Sequence, residues 1–387
     1  MKAAKKTKRK VCVVVASRAN YGRIKSLMSA IKNHPALELQ LIVSASAILY
    51  RFGNVIDVIQ RDGFKPDATI YYIVEGENPT TMAKSTGFAI MELATHFSNM
   101  KPDVVVTVAD RFETLATAVA ASYMNIPVAH TQGGEVTGTI DESVRHAVTK
   151  FSHIHFPATE MARERLIKMG ENPKTVFVTG CPSLDVLKSL DLQLGDLFKR
   201  SGGVGTPLDP KKPYIVVLQH PVTTEYGQGL QQIQHTIEAV ARLNMQTIVL
   251  WPNVDAGSDD ISKGWRQFRE SGRAKSVHFF RNFPVEDYAR LIANCACFIG
   301  NSSSAIREGA LLGVPTVNIG TRQTGRERGP NVIDVDYDSD AIYKAALRQI
   351  KHGKYKPDPI YGDGTAGRQI ADILATAEFT IQKRLAY

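Results

Sequence analysis

The sequence predicts an α/β protein made of two doubly wound domains that face each other across a cleft. Three observations carry this. Short apolar runs rich in β-branched residues alternate with amphipathic stretches along the chain, as parallel strands covered by helices on both faces do. At 387 residues the chain exceeds one typical domain, and two is the natural number. A segment rich in glycine and proline, Ser201-Gly202-Gly203-Val204-Gly205-Thr206-Pro207, splits the alternation into two blocks.

The first block spans residues 11–186. Val11–Ala16 reads as a continuous apolar strand. The loop Ser17–Gly22 leads into an amphipathic helix from about Arg23 to Lys32. Leu39–Ser44 is the next strand, and Asp103–Ala109 is a β-branched run suited to a buried parallel sheet. Phe112–Tyr123 is an alanine-rich helix. Pro127–His130 is a strand, interrupted after it by Gly133-Gly134. Asp141–Lys150 reads as a helix, Ile154–Phe156 as a short strand, Thr159–Met169 as a helix and Val176–Val178 as a closing strand. Residues 187–212 are assigned to a linker.

The second block spans residues 213–365. Its strands are Tyr214–Gln219, Thr247–Trp251, Ser276–Phe280, Cys295–Ile299 and Thr316–Ile319. Its helices are Gly229–Leu243, Ser258–Ser271, Val285–Asn294 and Ser339–Lys351. Helical periodicity from Thr365 to Leu385 defines a C-terminal helix, residues 366–387, expected to pack back on the first domain. No internal repeat of solenoid period is present.

Composition narrows the class. Hydrophobic residues make up 43% and charged residues 22%, as in ordinary globular proteins. No apolar stretch is long enough for a membrane span, and the run after the basic start is too short for a signal-peptide core. The four cysteines lie in or beside apolar strands without metal-ligand spacing, so they read as reduced core thiols in a cytoplasmic protein. The net charge is +9, but Lys2, Lys5, Lys6, Lys8, Arg9 and Lys10 crowd the first ten positions. Residues 1–10 are read as a disordered, solvated tail, with neither nucleic acid nor membrane as a partner. The remaining excess suits an anionic small molecule.

The polar residues gain meaning from position, because many of them end apolar strands. Ligands of open α/β sheets bind there. After the strand Cys295–Ile299 come Gly300, Asn301 and then Ser302-Ser303-Ser304, opening a helix. Its unpaired N–H groups and positive dipole end suit a phosphate, and Glu308 further in suits ribose hydroxyls. A plain serine N-cap is the alternative. Asp110, with Arg111 beside it, is either the cap of the next helix or a base facing the cleft. Gln132-Gly133-Gly134-Glu135 allows close backbone approach. Asp141-Glu142 opens a helix, where a capping acid is the plain reading. His220 ends a buried strand and precedes Pro221, which favours proton transfer over a structural role. Asn253 and Asp255 lie in a turn. Thr321–Arg328 is either an exposed basic loop or a clamp for phosphate or carboxylate.

Taken in order, these segments resemble the UDP-N-acetylglucosamine 2-epimerases, particularly the hydrolysing branch. The matching stretches are Ser17-Arg18-Ala19-Asn20-Tyr21-Gly22, Ala109-Asp110-Arg111-Phe112-Glu113, Gly133–His146, Gln219-His220-Pro221-Val222-Thr223-Thr224-Glu225, Pro252–Gly257, Gly300–Glu308 and Gly320-Thr321-Arg322-Gln323. The resemblance implies two Rossmann-like domains arranged as in GT-B glycosyltransferases. It implies a UDP-sugar substrate, no cofactor and no metal, and a homo-oligomer, dimer or tetramer. Asp110 and Asp141 match the family's catalytic acids and His220 its histidine. Arg18, Asn253, Asp255, Ser302, Ser303, Glu308 and Arg322 fall at or beside nucleotide-contacting positions. One departure stands out: Gln132 occupies the place of the family's middle carboxylate, and an amide takes up no proton.

The implied reaction removes the C2 proton and expels UDP from C1 in an anti elimination. Water then adds to the resulting 2-acetamidoglucal, and C2 is reprotonated on the other face. A protonated His220, Arg18 and the helix at Ser302 are expected to stabilise the departing diphosphate. The substrate is UDP-N-acetylglucosamine or a UDP-2,4-diacetamido-2,4,6-trideoxy sugar, feeding sialic- or legionaminic-acid-type synthesis. The competing readings are a GT-B glycosyltransferase, a non-hydrolysing 2-epimerase and a non-catalytic binder.

Overall fold

The protein is described here from a computed structural model covering residues 7–188 and 190–387. Six strands form the first sheet: β1 (Arg9–Val15), β2 (Leu37–Ser44), β3 (Ala68–Ile70), β4 (Val104–Val108), β5 (Val128–Thr131) and β6 (Ile154–Phe156). They run parallel in the order β3-β2-β1-β4-β5-β6. The period-two alternation of β1 explains its apolar sequence. Val11, Val13 and Val15 enter one buried cluster with the helix Arg18–Asn33. Cys12 and Val14 enter a second, with the helices Pro79–Met100 and Phe112–Tyr123.

Seven strands form the second sheet: β7 (Val204–Gly205), β8 (Tyr214–Leu218), β9 (Gln246–Leu250), β10 (Val277–Phe280), β11 (Cys297–Gly300), β12 (Thr316–Ile319) and β13 (Val332–Val335). Their order is β13-β12-β11-β8-β9-β10-β7. All are parallel except β7, which pairs antiparallel with β10. In both sheets the order reverses beside the first of the parallel strands, between β1 and β4 and between β8 and β11. Each reversal opens a crevice at the carboxyl ends.

Several boundaries differ from the sequence reading. Of the basic tail, residues 1–6 lie outside the described residues, but Arg9 and Lys10 belong to β1, opposite Leu37 and Glu38. The first helix starts at Arg18, because Ser17 caps it by accepting the N–H of Asn20 at 3.1 Å. The helix Pro79–Met100 was not anticipated. Its threonines and Gly87 obscure the period, yet Asn78 and Thr81 form a reciprocal capping box, and Ser85, Ala89, Leu93 and Phe97 make a buried stripe. Val176–Val178 is not a strand; only Val176 bridges to His155. The segment read as linker carries the short helix Leu197–Arg200 and supplies the edge strand β7.

The C-terminal helix is shorter than its periodicity suggested, Ala366–Thr376. It lies on the helix Arg18–Asn33, with Ile370, Ala371 and Leu374 joining that core. Asp185 accepts the N–H groups of Ala366 (3.0 Å) and Gly367 (2.6 Å), satisfying its first turn. Beyond it, Lys383 reaches the buried Glu171 at 2.5 Å and the carbonyl of Thr149 at 2.7 Å.

Candidate active site

The loops leaving β1, β4, β8 and β11 meet in a recess with about 1040 Å³ of empty space, its mouth included. From the first domain it is walled by Arg18, Arg23, Asp110, Arg111 and Asp141. From the second come His220, Asn253, Ser302, Ser303, Glu308 and Arg322. Sheet order therefore gathers residues that stand far apart in sequence.

Asp110 is aimed by the end of β4. Ala109 takes a left-handed φ of 64°, unusual for a residue with a Cβ, and turns the chain. No side chain caps the helix Phe112–Tyr123, so the capping reading of Asp110 falls. Instead Asp110 pairs with Arg145 and stands 3.9 Å from Arg326 and 4.0 Å from Arg23. Burial pushes its pKa up, but the guanidiniums of Arg145, Arg23 and Arg326 prevail and hold it well below the usual carboxylate range.

Asp141 behaves oppositely. It opens the helix Asp141–Phe151, which has no side-chain cap. Burial, then the charges of Asp110 and Asp255, push its pKa up to about 6 against the pull of Arg322 and Arg111. Two carboxylates on one cavity wall thus have their protonation ranges driven apart, the pattern by which one site separates proton-carrying and charge-bearing roles.

His220 departs from expectation. Its backbone N–H donates to Asn301 Oδ1 at 2.7 Å, and its ring Nδ1 accepts the Asn253 backbone N–H at 3.1 Å. Burial and the surrounding Arg322, Arg18, Arg111 and Arg23 lower its pKa well below the ordinary value. The ring of the protein by itself is neutral, whereas the imidazolium expected from sequence belongs to the state with the diphosphate beside it.

Ser302 caps the helix Ser303–Leu312, with its hydroxyl toward the Ser304 N–H. Ser303 accepts from Arg23 at 2.6 Å, across the cleft. Glu308 faces the same recess, and its Oε2 is buried without a partner. Burial raises its pKa. Arg18 donates to the Arg281 carbonyl (3.0 Å) and Asn282 Oδ1 (3.1 Å), and Arg322 to the Asn301 carbonyl (3.2 Å).

Two predicted residues do not line the recess. Gln132 is buried behind it, with a φ of 64° and its amide donating to Cys181 Sγ at 3.2 Å. Asp255 is turned to Arg111, which it pairs with at 2.6 Å. Sequence reasoning also missed Arg23 as a wall residue and Arg145 and Glu135 behind the wall. Glu135 accepts from Arg307 and, at 2.6 Å, from Arg326. The Gly-Gly-Glu turn and the clamp reading of Thr321–Arg328 were the signals available for that pair. Among the described residues no group of three or more His, Cys, Asp or Glu side chains is placed to hold a metal. No helix among them is long and apolar enough to cross a membrane.

The architecture is that of the two-domain GT-B-like class. It is similar to the UDP-GlcNAc 2-epimerase of Neisseria meningitidis solved with UDP-GlcNAc (TM-score 0.79, 18% identity, 95% of this chain and 100% of that one). A Methanocaldococcus jannaschii UDP-GlcNAc 2-epimerase, solved with UDP-GlcNAc and UDP, is similar at TM-score 0.78 and 18% identity, over 95% of this chain and 100% of that one. The chain belongs to the UDP-N-acetylglucosamine 2-epimerase family, whose description matches residues 29–375. It is 34% identical to the UDP-N,N'-diacetylbacillosamine 2-epimerase (hydrolyzing) of Legionella pneumophila, over 95% of this chain and 96% of that protein. It is 32% identical to the UDP-N-acetylglucosamine 2-epimerase of Neisseria meningitidis, over 96% of both.

Proposed function

We propose that this protein is a hydrolysing 2-epimerase. It takes a UDP-linked 2-acetamido-gluco sugar and releases UDP and the free manno epimer. The observation that carries the reading is the pairing of Asp110 and Asp141 on the wall opposite the helix opened by Ser302. A proton-handling site and a diphosphate site thus share one recess. Relatives named as hydrolysing enzymes, from Legionella pneumophila at 34% identity and Campylobacter jejuni at 33%, support it.

The chemistry follows from the charge states. Asp141, titrating near pH 6, takes the C2 proton; the C–H electrons form C1=C2 and the C1–O electrons leave with UDP. Arg18, Arg322, the helix at Ser302 and the donor Nε2–H of His220 receive the diphosphate charge. Water then adds its hydroxide to C1 while a solvent-derived proton goes to the opposite face of C2, and Asp141 releases its proton to solvent to restore the carboxylate. Asp110, ionised throughout, stabilises the positive charge that develops at C1. No step calls for a cofactor.

The test is NMR of the reaction in deuterium oxide, with UDP-N-acetylglucosamine and with UDP-2,4-diacetamido-2,4,6-trideoxyglucose as separate substrates. Release of UDP and a free manno sugar carrying deuterium at C2 is expected without any acceptor. A UDP-linked epimer as final product would make the enzyme non-hydrolysing. Absence of turnover until an acceptor is added would make it a transferase. The faster of the two substrates identifies the group preferred at C4 and C6.

A further inference from the structure

The loop Thr321–Arg328 of the second domain carries two arginines that meet the two carboxylates of the first. Arg322 stands 4.0 Å from Asp141 and Arg326 stands 3.9 Å from Asp110. Arg326 is 5% exposed, and the guanidinium is not free to wander. Its Nη1 is tied to Glu135 Oε2 at 2.6 Å. Glu135 is itself buried, takes a second arginine, Arg307, from the second domain, and offers its carbonyl to Arg145 at 2.8 Å. Arg145 in turn bonds Asp110, and also Thr137 at 3.1 Å.

We infer that Arg326, seated by Glu135, is a positioning residue that sets the charge of Asp110 from across the cleft, so that apposition of the two domains completes the site. The inference rests on the proposed reaction for its catalytic meaning, but its physical content concerns the free protein. The groups facing Asp110 are Arg23 from the first helix, Arg145 from the helix Asp141–Phe151, His130 from β5, the neighbouring Asp141 and, from the second domain, Arg326. Of the three arginines among them, Arg326 alone comes from the second domain. His130 is neutral, its pKa lowered to about 3 chiefly by burial. Moving the second domain away removes one of three cations from Asp110 and Arg322 from Asp141. The Glu135 carboxylate loses both of its arginine partners, Arg307 and Arg326, at the same time, so the seat and the charge it positions separate together.

The experiment is titration of carboxyl-labelled aspartates by carbon-13 NMR in the ligand-free protein, with Asp110→Asn and Asp141→Asn assigning the signals. Arg326→Gln is expected to raise the Asp110 pKa by about one unit or more, the scale set by one close opposite charge. Arg326→Lys, which keeps the charge, is expected to return most of that shift. Glu135→Gln, which unseats the arginine without touching Asp110, is expected to move Asp110 in the same direction. Should Arg326→Gln fail to fold, Glu135→Gln decides alone. An Asp110 titration unmoved in whichever of Arg326→Gln and Glu135→Gln folds overturns the inference. The titration needs no substrate, so a wild-type protein that releases no UDP overturns the proposed function and leaves this result standing. Given turnover, Arg326→Gln is expected to lower kcat with UDP affinity within about threefold of wild type; equal loss in both would mark a collapse of the cleft and overturn it.

Discussion

The backbone N–H of Asn253 donates to Nδ1 of His220 at 3.1 Å, and this contact fixes the tautomer of the ring. A nitrogen that accepts carries no proton, so the imidazole is protonated at Nε2. Burial, and after it four arginines, disfavour a second proton on the ring. In the protein by itself His220 is therefore a neutral ring with Nε2 as its donor.

His220→Ala is expected to lower kcat by about a hundredfold or more, the scale of one lost donor to a developing anion. UDP affinity should change much less, because the demand peaks as the diphosphate departs. With its pKa depressed, the ring is neutral at every pH above that value. The kcat/KM profile should therefore show no limb near the ordinary histidine range that His220→Gln abolishes. Comparing the two profiles checks this. A matching loss in UDP affinity would make His220 a ground-state ligand instead.

Asp141→Asn is expected to lower kcat by about two to four decades, as for a lost general base. In the wild type, kcat/KM should rise as pH rises through about 6, where the carboxylate forms. Stability should follow the opposite course. The folded pKa lies above the unfolded value of 3.8, so the favourable contribution is present below 3.8 and is lost as pH rises through about 6. The Asn variant escapes that loss. Its melting temperature should exceed the wild type's at pH 8 and converge on it near pH 4. An equal offset at both pH values would assign the effect to packing.

Truncating the phosphate side should read out as binding. Ser302→Ala combined with Ser303→Ala, and separately Glu308→Ala, are each expected to weaken UDP by about 1.5–3 kcal/mol, the range for hydrogen bonds to charged groups. Glu308 has a buried oxygen without a partner, which the ribose hydroxyls would satisfy. Calorimetry with UDP alone checks both. Unchanged affinity in either would return that residue to a structural role.

How much of this the sequence discloses depends on where each signal is stored. Strands such as Ile154–Phe156 and Thr316–Ile319, and the helices Phe112–Tyr123 and Gly229–Leu243, have the bounds their periodicity suggests. Their information is local. The helix Pro79–Met100 hid because only one narrow stripe is buried and threonines dilute it. Residues at strand ends, such as Asp110, His220 and Ser302, were legible as cleft residues because topology sends strand ends to a crevice. Glu135, Arg145 and Arg326 were not, because their meaning lies in contacts across 10 and 191 positions of chain. Gln132 and Asp255 show the reverse error. Asn253 faces the recess but Asp255 turns to Arg111, and Gln132 lies behind the wall with its amide on Cys181.

Gly138 offers a way to test apposition of the domains without removing any charge. Its N–H donates to the Arg322 carbonyl at 3.2 Å. A Cβ built there would lie 2.0 Å from the carbonyl oxygen of Thr321, a backbone atom that no side-chain rotation can clear. Gly138→Ala must therefore push the loop Thr321–Arg328 away from the turn Gly133–Asp141. Arg322 and Arg326 ride on that loop, so both retreat from Asp141 and Asp110. The Ser302 helix and Glu308 lie on a different loop of the second domain and stay in place. The expected outcome is a fall in kcat of tenfold or more, with a smaller loss of UDP affinity from the retreat of Arg322. Gly87→Ala is the matched control. Nothing lies within 4 Å of its Cβ position, and it sits inside a helix, where alanine is favoured over glycine by about 0.5–1 kcal/mol. That variant should keep full activity and melt slightly higher. If Gly138→Ala also kept full activity, close contact of this loop would not be needed for the chemistry, and the carboxylates would act with the first domain's arginines alone.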